Sequence, residues 1–309
     1  MISVVIPLYN KEKQIAKTLQ SVLRQTFQDF EIVVVNDGST DNSVAEVHKV
    51  KDPRIRLVHQ ENAGVSAARN RGIQEARFDM IAFLDADDNW KPNYLESQYG
   101  LSKKYPQCSV YACNYEFHDG SSNITPTIIR KLPFKESDGI LSNYFEIASC
   151  SHPPIWTSAV MVRKEAIQTI GGFPLGIKSG EDLLTWARLA SKYNIAYSKI
   201  PAAIYNQGEG YDYSHLPPRK QDTGDYVGNC LKEIYQQSGL KSNGMREYIS
   251  HWHKMRASVA MRYGYVSETL TETLKSLYYN PKNIKVIPFV FFAVFPFKLR
   301  MKILGLLKD

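Results

Sequence analysis

The first third of the chain shows short apolar runs that alternate with segments of helical periodicity. The apolar runs are rich in β-branched residues, as expected of strands that are buried on both faces. Strands are predicted at 3–8, 31–36, 55–58 and 80–84, and helices between them at 15–23, 44–47 and 65–76. This β-α-β-α-β-α-β order predicts an α/β fold with a mainly parallel sheet and helices on both of its faces.

Polar residues follow each of the four predicted strands. Open α/β sheets bind ligands at the carboxyl ends of their strands, so these residues are candidates for one shared site. They are Tyr9-Asn10, Asp37-Gly38-Ser39, Gln60-Glu61-Asn62 and Asp85-Ala86-Asp87-Asp88. Each segment alone is compatible with a simple turn. Ser39, Thr40 and Asp41 also offer N-caps to the second predicted helix.

The segment from Asp85 to Asp88 carries three carboxylates in four residues. Crowded carboxylates repel one another, and a bound divalent cation with oxygen ligands, Mg²⁺ or Mn²⁺, relieves that repulsion. Such a cation keeps positions open for phosphate oxygens, so the pattern favours an enzyme that handles a nucleotide diphosphate. The alternative is a polar turn into a helix, with Asp88 or Asn89 as its N-cap and Pro92 in its first turn.

Basic charge is concentrated in the C-terminal quarter. The chain has 309 residues, 43% of them hydrophobic, and a formal net charge of +7. Residues 240–309 hold 12 basic and 4 acidic residues, a balance of +8, whereas the other 239 residues hold 26 and 27, a balance of −1. Nucleic acid and an anionic membrane surface are both possible partners for this basic quarter.

Several classes of protein are disfavoured. The cysteines, at 108, 113, 150 and 230, lack Cys-x-x-Cys spacing, which argues against a zinc site and against a disulfide scaffold. No signal peptide is expected, and the longest uncharged apolar run, 286–297, is shorter than the roughly 20 residues of a membrane span. The glycine patterns of dinucleotide-binding sites and of P-loops are missing. We therefore expect a cytoplasmic protein with reduced thiols.

Five segments, taken in order, resemble the motifs of glycosyltransferase family 2, whose members are inverting sugar transferases of the GT-A fold. They are residues 4–10, residues 35–41, residues 62–70, the Asp85-Ala86-Asp87-Asp88 cluster, and Gly180-Glu181-Asp182 followed by residues 183–186. The resemblance implies a GT-A catalytic domain over residues 1–215, with a nucleotide-binding half (1–105) and an acceptor half (106–215). A mostly helical extension would follow over 216–309.

The resemblance implies that five residues bind the donor nucleotide. Pro7 and Tyr9 would form a wall against the base, Asp37 would accept a hydrogen bond from the base ring N–H, and Asp85 would contact the ribose and metal-bound water. Arg69, early in a helix whose N-terminal N–H groups favour anions, would brace the diphosphate. The structural alternatives are an Asp-Gly turn for Asp37 and a solvated helix-face side chain for Arg69.

The resemblance assigns the metal to Asp87 and the general base to Asp182, with Asp88 as a supporting or capping residue. Spacing alone gives Asp182 another role, because Ser179-Gly180-Glu181-Asp182 fits a capping box with Ser179 as the N-cap. Both roles are compatible if Glu181 or the backbone makes the hydrogen bonds that the start of the helix requires.

Other residues are candidates for supporting roles. Asn70 lies beside Arg69 at the start of the third predicted helix. In the acceptor half, Trp156 is a candidate for stacking on a sugar, although a core tryptophan is the alternative. The tyrosine-rich segment 205–215 is a candidate cover for the donor, with Arg219 and Lys220 as candidate phosphate contacts.

The apolar run 286–297 contains four phenylalanines before Pro296 and is followed by Lys298, Arg300 and Lys302. Apolar residues beside basic ones suit the lipid headgroup boundary, which predicts peripheral membrane contact through 284–309. Packing on the catalytic domain as a hydrophobic clasp and a homodimer contact remain alternatives.

We therefore predict an inverting glycosyltransferase that moves a sugar from a nucleotide-diphosphate sugar, with a UDP-sugar as the favoured donor, to a hydroxyl of a saccharide or lipid-linked saccharide. The reaction would be a single displacement in polysaccharide or glycan assembly, assisted by Mn²⁺ or Mg²⁺, with Asp182 as base. The alternative is a non-catalytic nucleotide-sugar-binding or membrane-tethering module of the same fold. A nucleic-acid binder is disfavoured, because no stacking-plus-basic motif accompanies the basic quarter.

Overall fold

The computed structural model describes residues 1–119, 123–207, 216, 224–238 and 244–306. Its first elements confirm the predicted alternation of strands and helices. They are β1 (Ile2–Leu8), α1 (Ile15–Leu23), β2 (Phe30–Asp37), α2 (Ser43–Lys49), β3 (Ile55–Gln60), α3 (Val65–Glu75) and β4 (Met80–Phe83).

The next part of the chain mixes short strands and helices. In order these are β5 (Asn89–Trp90), α4 (Tyr94–Lys104), β6 (Val110–His118), β7 (Ile124–Pro126), β8 (Asp138–Ile140), α5 (Tyr144–Cys150), a 3₁₀ turn (Thr157–Ala159), β9 (Val160–Arg163), α6 (Lys164–Thr169), α7 (Glu181–Lys192) and β10 (Ile195–Asn206). The C-terminal part is helical, with α8 (Tyr226–Ser238), α9 (Met245–Tyr263), α10 (Val266–Tyr279), a 3₁₀ turn (Ile284–Val286), α11 (Pro288–Ala293) and α12 (Phe297–Leu306).

The described strands form one sheet with the order β3-β2-β1-β4-β9-β6-β10-β5, and β7 and β8 pair at its side with β6 and β10. β3, β2, β1 and β4 run parallel, as do β6 and β10, whereas β9 runs antiparallel to both β4 and β6. The carboxyl ends of the first four strands therefore meet at one edge, where the sequence places its polar segments.

The sheet separates two hydrophobic clusters, as successive strand residues face opposite sides. Val5 belongs to the cluster that contains α5, α7 and α9, whereas Val4 and Ile6 belong to the cluster that contains α1 and α4. Helix α3 packs closely on β1, because a Cβ at Gly72 would collide with the Val5 side chain. This confirms helices on both faces of the sheet.

Helices α8 and α9 pack into the same hydrophobic core as helix α7. Val227, Leu231, Ile249 and Trp252 are buried in one cluster with Leu184 of α7. Helices α10 and α11 in turn pack on α9. Among the described residues, no helix has both the length and the apolar character that a membrane crossing requires.

Three predicted helix caps are wrong. Helix α2 has Asn42 as its N-cap, not Ser39, Thr40 or Asp41. Helix α4 begins at Tyr94 after Asn93, so neither Asp88 nor Asn89 caps it, and Asn89 lies in β5 instead. Helix α7 begins after Gly180, not after Ser179. The Ser39 and Asp88 side chains instead form hydrogen bonds with other segments of the chain. The turn at Gly180 is set by its contact with Trp252.

Candidate active site

Asp88 lies buried behind the acidic cluster at the end of β4. Its Oδ2 accepts hydrogen bonds from Ser158 Oγ at 2.6 Å and from Trp156 Nε1 at 3.4 Å, and its Oδ1 accepts one from the Asn206 backbone N–H at 3.0 Å. Burial raises the pKa of Asp88 to about 8, and the charges of the two other carboxylates in the cluster add to the shift. Asp88 does not cap α4, which begins after Asn93, and its supporting role in the site stays a prediction.

Asp85 and Asp87 each keep one carboxylate oxygen that accepts no hydrogen bond from the described residues. Asp85 Oδ1 accepts from Arg69 Nη2 at 2.8 Å, and Asp87 Oδ2 lies 2.5 Å from Lys11 Nζ. The two side chains are 24% and 33% exposed, so the remaining oxygens can meet a cation. Hard oxygen ligands with room for further ligands suit Mg²⁺ or Mn²⁺, and the residues present are therefore compatible with the predicted metal.

Arg69 joins the acidic cluster to the start of α7. Besides its bond to Asp85, its Nη1 lies 3.8 Å from Glu181 Oε1, and the side chain is only 5% exposed. Although burial lowers the pKa of Arg69, the charges of Asp85, Glu181 and Asp182 raise it overall. Arg69 is thus a buried cation between two groups of carboxylates, which excludes the solvated helix-face alternative. Its contact with the diphosphate stays a prediction.

The start of α7 is fixed by a contact with α9. Gly180 has a φ of +86°, which glycine adopts without strain, and a Cβ there would lie 2.7 Å from the Trp252 ring. Asp182 does not reach back to form a capping box; its Oδ1 accepts a hydrogen bond from the adjacent Leu183 N–H at 2.7 Å. No donor to its Oδ2 is found within the part of the chain that the structure describes, so this oxygen remains for another partner.

Buried tyrosines lie close enough to Asp182 to respond to its charge. Burial raises the pKa of Tyr115, Tyr144 and Tyr248, and the Asp182 carboxylate adds to each shift. The Tyr248 hydroxyl donates to the Leu183 carbonyl at 3.3 Å, which again connects α9 to the start of α7. Asp182 itself is half-buried. Its assignment as general base stays a prediction.

Asp37 organises the loop that follows β3. Its Oδ1 accepts hydrogen bonds from Gln60 Nε2 at 2.7 Å and the Ala63 N–H at 2.9 Å, and its Oδ2 accepts one from the Gly64 N–H at 2.9 Å. A carboxylate oxygen can accept two hydrogen bonds, so, as far as the described residues go, one position on Oδ2 remains for a base N–H. The role of Asp37 therefore goes beyond an Asp-Gly turn, while its contact with the base stays a prediction.

Pro7 and Tyr9 differ in exposure. Pro7 is buried in β1 beside Val35 of β2, whereas Tyr9, just past the end of β1, is 46% exposed. Of the two, Tyr9 has the free ring surface that contact with a base requires. Pro7 contributes its fixed backbone to the end of the strand.

The loop after β1 is held by side chains that follow β2, among them Ser39 and Thr40, which were predicted to cap α2. Asn10 has a φ of +52°, and its Oδ1 accepts a hydrogen bond from the Thr40 N–H at 2.8 Å. The backbone N–H groups of Asn10 and Lys11 donate to Ser39 Oγ and Ser43 Oγ at 3.1 and 2.7 Å. The loops after β1 and β2 thus form one unit at the edge of the sheet.

Asn70 supports the site by fixing the segment before α7. Its Nδ2 donates to the Phe173 carbonyl and its Oδ1 accepts from the Phe173 N–H, both at 2.8 Å. Gly172, with a φ of +71°, lies against the Asn70 amide and leaves no room for a Cβ. The Phe173 ring in turn lies 5.1 Å from the Arg69 guanidinium carbon.

Trp156 is a partly buried member of an aromatic group. Its ring centroid lies 5.7 Å from that of Tyr115 and 4.5 Å from that of Tyr205. This packing gives Trp156 a structural role beside Asp88, while stacking on a sugar stays a prediction. Most of the tyrosine-rich segment (208–215), Arg219 and Lys220 lie outside the described residues.

The sequence analysis did not identify four residues that contact the segment from Asp85 to Asp88. One is Thr18, whose hydroxyl lies 2.9 Å from both the Ala86 and the Asp88 carbonyl oxygens. Lys11 pairs with Asp87, Ser158 bonds both the Asp85 N–H and the Asp88 side chain, and Asn206 Nδ2 donates to the Asp87 carbonyl at 2.6 Å. Lys11 directly follows the strand-end pair Tyr9-Asn10, so its position in the sequence could have predicted that it lies near the other strand ends. Ser158 and Asn206 lie about 70 and 120 residues from their partners, and no local pattern points to them.

Comparison with known proteins gives a consistent assignment. The family model described as Glycosyl transferase family 2 matches residues 3–171. The chain is 37% identical over 126 residues to glycosyltransferase GlyG of Streptococcus pneumoniae. The matched stretch covers 40% of this chain and 42% of that protein. The chain is 47% identical over 118 residues to the uncharacterized glycosyltransferase YibD of Escherichia coli. The matched stretch covers 38% of this chain and 34% of that protein. The chain spans less than half the length of the curated relatives it matches.

The fold is similar to that of S. aureus TarS. The crystal structure of TarS 1–349 in complex with UDP-GlcNAc superposes with a TM-score of 0.70 over 97% of this chain and 90% of that chain, at 17% sequence identity. At this identity the likeness establishes the fold alone, and it confirms a GT-A-like α/β sheet with a helical C-terminal part. Since the family model covers more than half of the 309 residues, the chain belongs to glycosyltransferase family 2.

Proposed function

We propose that this protein is an inverting glycosyltransferase that moves a sugar from a nucleotide-diphosphate sugar to a hydroxyl group of a saccharide or lipid-linked saccharide. The observation that carries the proposal is the buried Arg69, which connects the carboxylates after β4 with Glu181 and Asp182 at the start of α7. One acidic group suits a diphosphate with its cation, and the other suits removal of a proton. Membership of family 2 supports this division of roles.

The favoured donor is a UDP-sugar. Solved structures of TarS, which has a similar fold, are complexes with UDP-GlcNAc or UDP, and this supports a uridine nucleotide in the donor of this chain. The exposed Tyr9 ring and the remaining acceptor position on Asp37 Oδ2 would meet the base, beside Pro7. A screen of nucleotide sugars with Mn²⁺ by thermal shift would identify the donor by the largest rise in melting temperature.

Asp87 would hold Mg²⁺ or Mn²⁺, with Asp85 beside it. When bound, the cation would offset the negative charge that builds on the leaving diphosphate. Ser158 and Asn206 keep the two carboxylates in place through the backbone, since one accepts from the Asp85 N–H and the other donates to the Asp87 carbonyl. Arg69 fixes the orientation of the Asp85 side chain.

Asp182 would accept the proton of the acceptor hydroxyl as that oxygen attacks the anomeric carbon. The bond between the anomeric carbon and the diphosphate breaks on the opposite face, so configuration is inverted and no covalent enzyme intermediate forms. Because Oδ1 accepts the Leu183 N–H, Oδ2 is the oxygen that would take the proton.

Asp182→Asn tests the proposed base, because asparagine can still accept the Leu183 N–H through its side-chain oxygen. We expect the turnover number to fall by about 10²- to 10⁴-fold, the usual contribution of a general base. The affinity for UDP with Mn²⁺, measured by titration calorimetry, should change little.

The control is Glu165→Gln, which removes a carboxylate from the first turn of α6, where Glu165 is exposed. This variant should keep full activity. An Asp182→Asn protein with full activity would show that Asp182 is not the base. Loss of UDP binding in that variant would show that Asp182 serves the donor instead.

We also propose a cytoplasmic site of action in polysaccharide or lipid-linked glycan assembly. The four cysteines are unpaired, which suits a reducing compartment. A lipid-linked acceptor would present its sugar at the membrane surface. Transfer of radiolabelled sugar from the identified donor to extracted glycolipid or to free saccharide would separate the two acceptor classes.

A further inference from the structure

Helix α10 exposes apolar side chains and buries polar ones. Tyr278 is 73% exposed and Leu274 is 59% exposed, and with Leu270 and Val266 they form a stripe at four-residue intervals along one face. The buried residues of the helix are Thr269, Glu272, Thr273 and Ser276. A surface helix normally has the opposite arrangement, so the stripe calls for a partner surface.

Hydrogen bonds hold α10 in this orientation. Ser276 Oγ donates to the Ser250 carbonyl at 2.9 Å, and His253 Nδ1 lies 2.6 Å from Glu272 Oε2. Both contacts join the polar face of α10 to α9. Rotating the apolar stripe inward would break them and would bury polar groups without partners.

The segment after α10 extends the apolar surface. Phe291 and Val294 are 66% and 62% exposed, and Ile284 and Ile287 are also exposed. Buried Val286 and Ala293 fix the opposite side of the segment to the protein. The segment therefore packs on the protein with one side and exposes an apolar face on the other side.

Beyond Glu272 the charges along this stretch of the sequence have one sign, whereas the first half of α10 carries the exposed Glu268. Residues 273–308 contain no Asp or Glu and seven basic residues: Lys275, Lys282, Lys285, Lys298, Arg300, Lys302 and Lys308. Four of the lysines, at 282, 285, 298 and 302, are exposed. Arg300 is buried and donates to the Ala293 and Phe295 carbonyls at 3.2 and 2.8 Å, so it orders the segment and does not face a partner.

We propose that the exposed stripe of α10 and the segment 282–302 form a docking face for an anionic lipid surface. Apolar side chains flanked by lysines are suited to insertion at the boundary between headgroups and acyl chains, with the lysines on the anionic headgroups. A second copy of this chain is a poorer partner, because a twofold interface would place two lysine-rich surfaces against each other. The inference does not rest on the proposed reaction.

The test is flotation of the full-length protein with vesicles of phosphatidylcholine alone and of phosphatidylcholine mixed with phosphatidylglycerol. We expect the protein to float with the mixed vesicles only, and to be released by salt. Replacing Lys282, Lys285 and Lys298 together by glutamine should lower the partition coefficient by on the order of 100-fold. Leu274→Ser combined with Phe291→Ser should lower it by at least about tenfold.

Matched controls come from exposed residues elsewhere in the chain. They are a triple change of Lys17, Lys51 and Lys192 to glutamine, and the single change Ile200→Ser. Both should float like the original protein, and all variants should keep its melting temperature.

Three outcomes would overturn the proposal. The first is equal flotation with both kinds of vesicle, and the second is equal loss of flotation in the control and test variants. The third is absence of flotation together with a dimer in sedimentation velocity that Phe291→Ser dissociates, which would assign the face to a second copy.

Discussion

Lys11 and Asp87 form an ion pair at the proposed metal position. Lys11 Nζ lies 2.5 Å from Asp87 Oδ2, and both side chains are about one-third exposed. A pair this exposed adds little to stability, because solvent screens it. Its consequence concerns ligand binding, since any cation that uses both oxygens of Asp87 has to displace the lysine ammonium group.

Lys11→Met keeps the length of the side chain and removes the competing charge. We expect Mn²⁺, in the absence of nucleotide, to bind roughly fivefold more tightly, in keeping with the modest strength of an exposed pair. Titration calorimetry or the paramagnetic resonance of free Mn²⁺ would measure this. Lys17→Met, on the exposed side of α1, is the control and should leave Mn²⁺ affinity unchanged. Unchanged or weaker binding in Lys11→Met would contradict the competition.

At the scale of elements, a buried polar cluster connects three helices. His253 of α9 lies between Glu272 of α10, at 2.6 Å, and Asp225, just before α8, at 3.7 Å. These three residues have a spacing that could hold a metal ion. However, Arg256 Nε is 3.3 Å from Glu272 Oε2 and Lys275 Nζ is 3.0 Å from Oε1, so the carboxylates already have cationic partners. We interpret the cluster as an ion-pair network that positions α10.

Glu272→Gln is expected to destabilise the protein in a pH-dependent way. Burial alone would raise the pKa of Glu272, but the hydrogen bond from His253 and the charge of Arg256 lower it to about 2. Because the folded pKa lies below the unfolded one, the stabilisation is complete above about pH 4.5 and is lost as the pH falls toward 2. The substitution should cost about 3 kcal/mol at neutral pH, because it removes the nearer carboxylate partner of the partly buried Arg256.

Urea denaturation at about pH 7 and about pH 3 would measure both effects. The difference between the original protein and Glu272→Gln should shrink to less than about half at the lower pH. Glu268→Gln, an exposed change on the same helix, should show no such difference. A cost that does not depend on pH would mean that Glu272 acts through packing alone.

At the scale of the whole molecule, the C-terminal helices complete the hydrophobic core that contains α5 and α7. The side chains of Val227, Leu231, Ile249 and Trp252 are buried with residues of α5 and α7, and the contact between Gly180 and Trp252 sets where α7 begins. The predicted boundary between 215 and 216 therefore separates two stretches of sequence that share one hydrophobic cluster.

A chain that ends at residue 215 should fail to fold cooperatively. Each of these four buried side chains contributes about 1.5–3 kcal/mol, and together they approach the roughly 5–15 kcal/mol that stabilises a typical domain. A chain that ends at residue 283 keeps them and should unfold in a single thermal transition. Near-ultraviolet circular dichroism and calorimetry would compare the two, and a cooperative transition in the shorter chain would show that residues 1–215 form an independent unit.

Local pattern was enough to predict most elements of the first half. The runs 3–8, 31–36, 55–58 and 80–84 all lie in observed strands or end one residue beyond them, because burial of β-branched runs on both faces is a property of the segment itself. The same pattern placed polar residues at one edge of the sheet, since parallel strands share the direction in which they end. The family assignment followed from short motifs whose order along the chain could be read directly.

Tertiary structure alone decided which side chains meet. The contacts of Arg69 with Asp85 and Glu181, and of Ser158 with Asp88, depend on the order of strands in the sheet and on the docking of α7. The start of α7 at Gly180 and the outward face of α10 depend on α9. Local periodicity carries no information about such partners, because the free energy of each contact comes from residues far away in the sequence that only folding brings together.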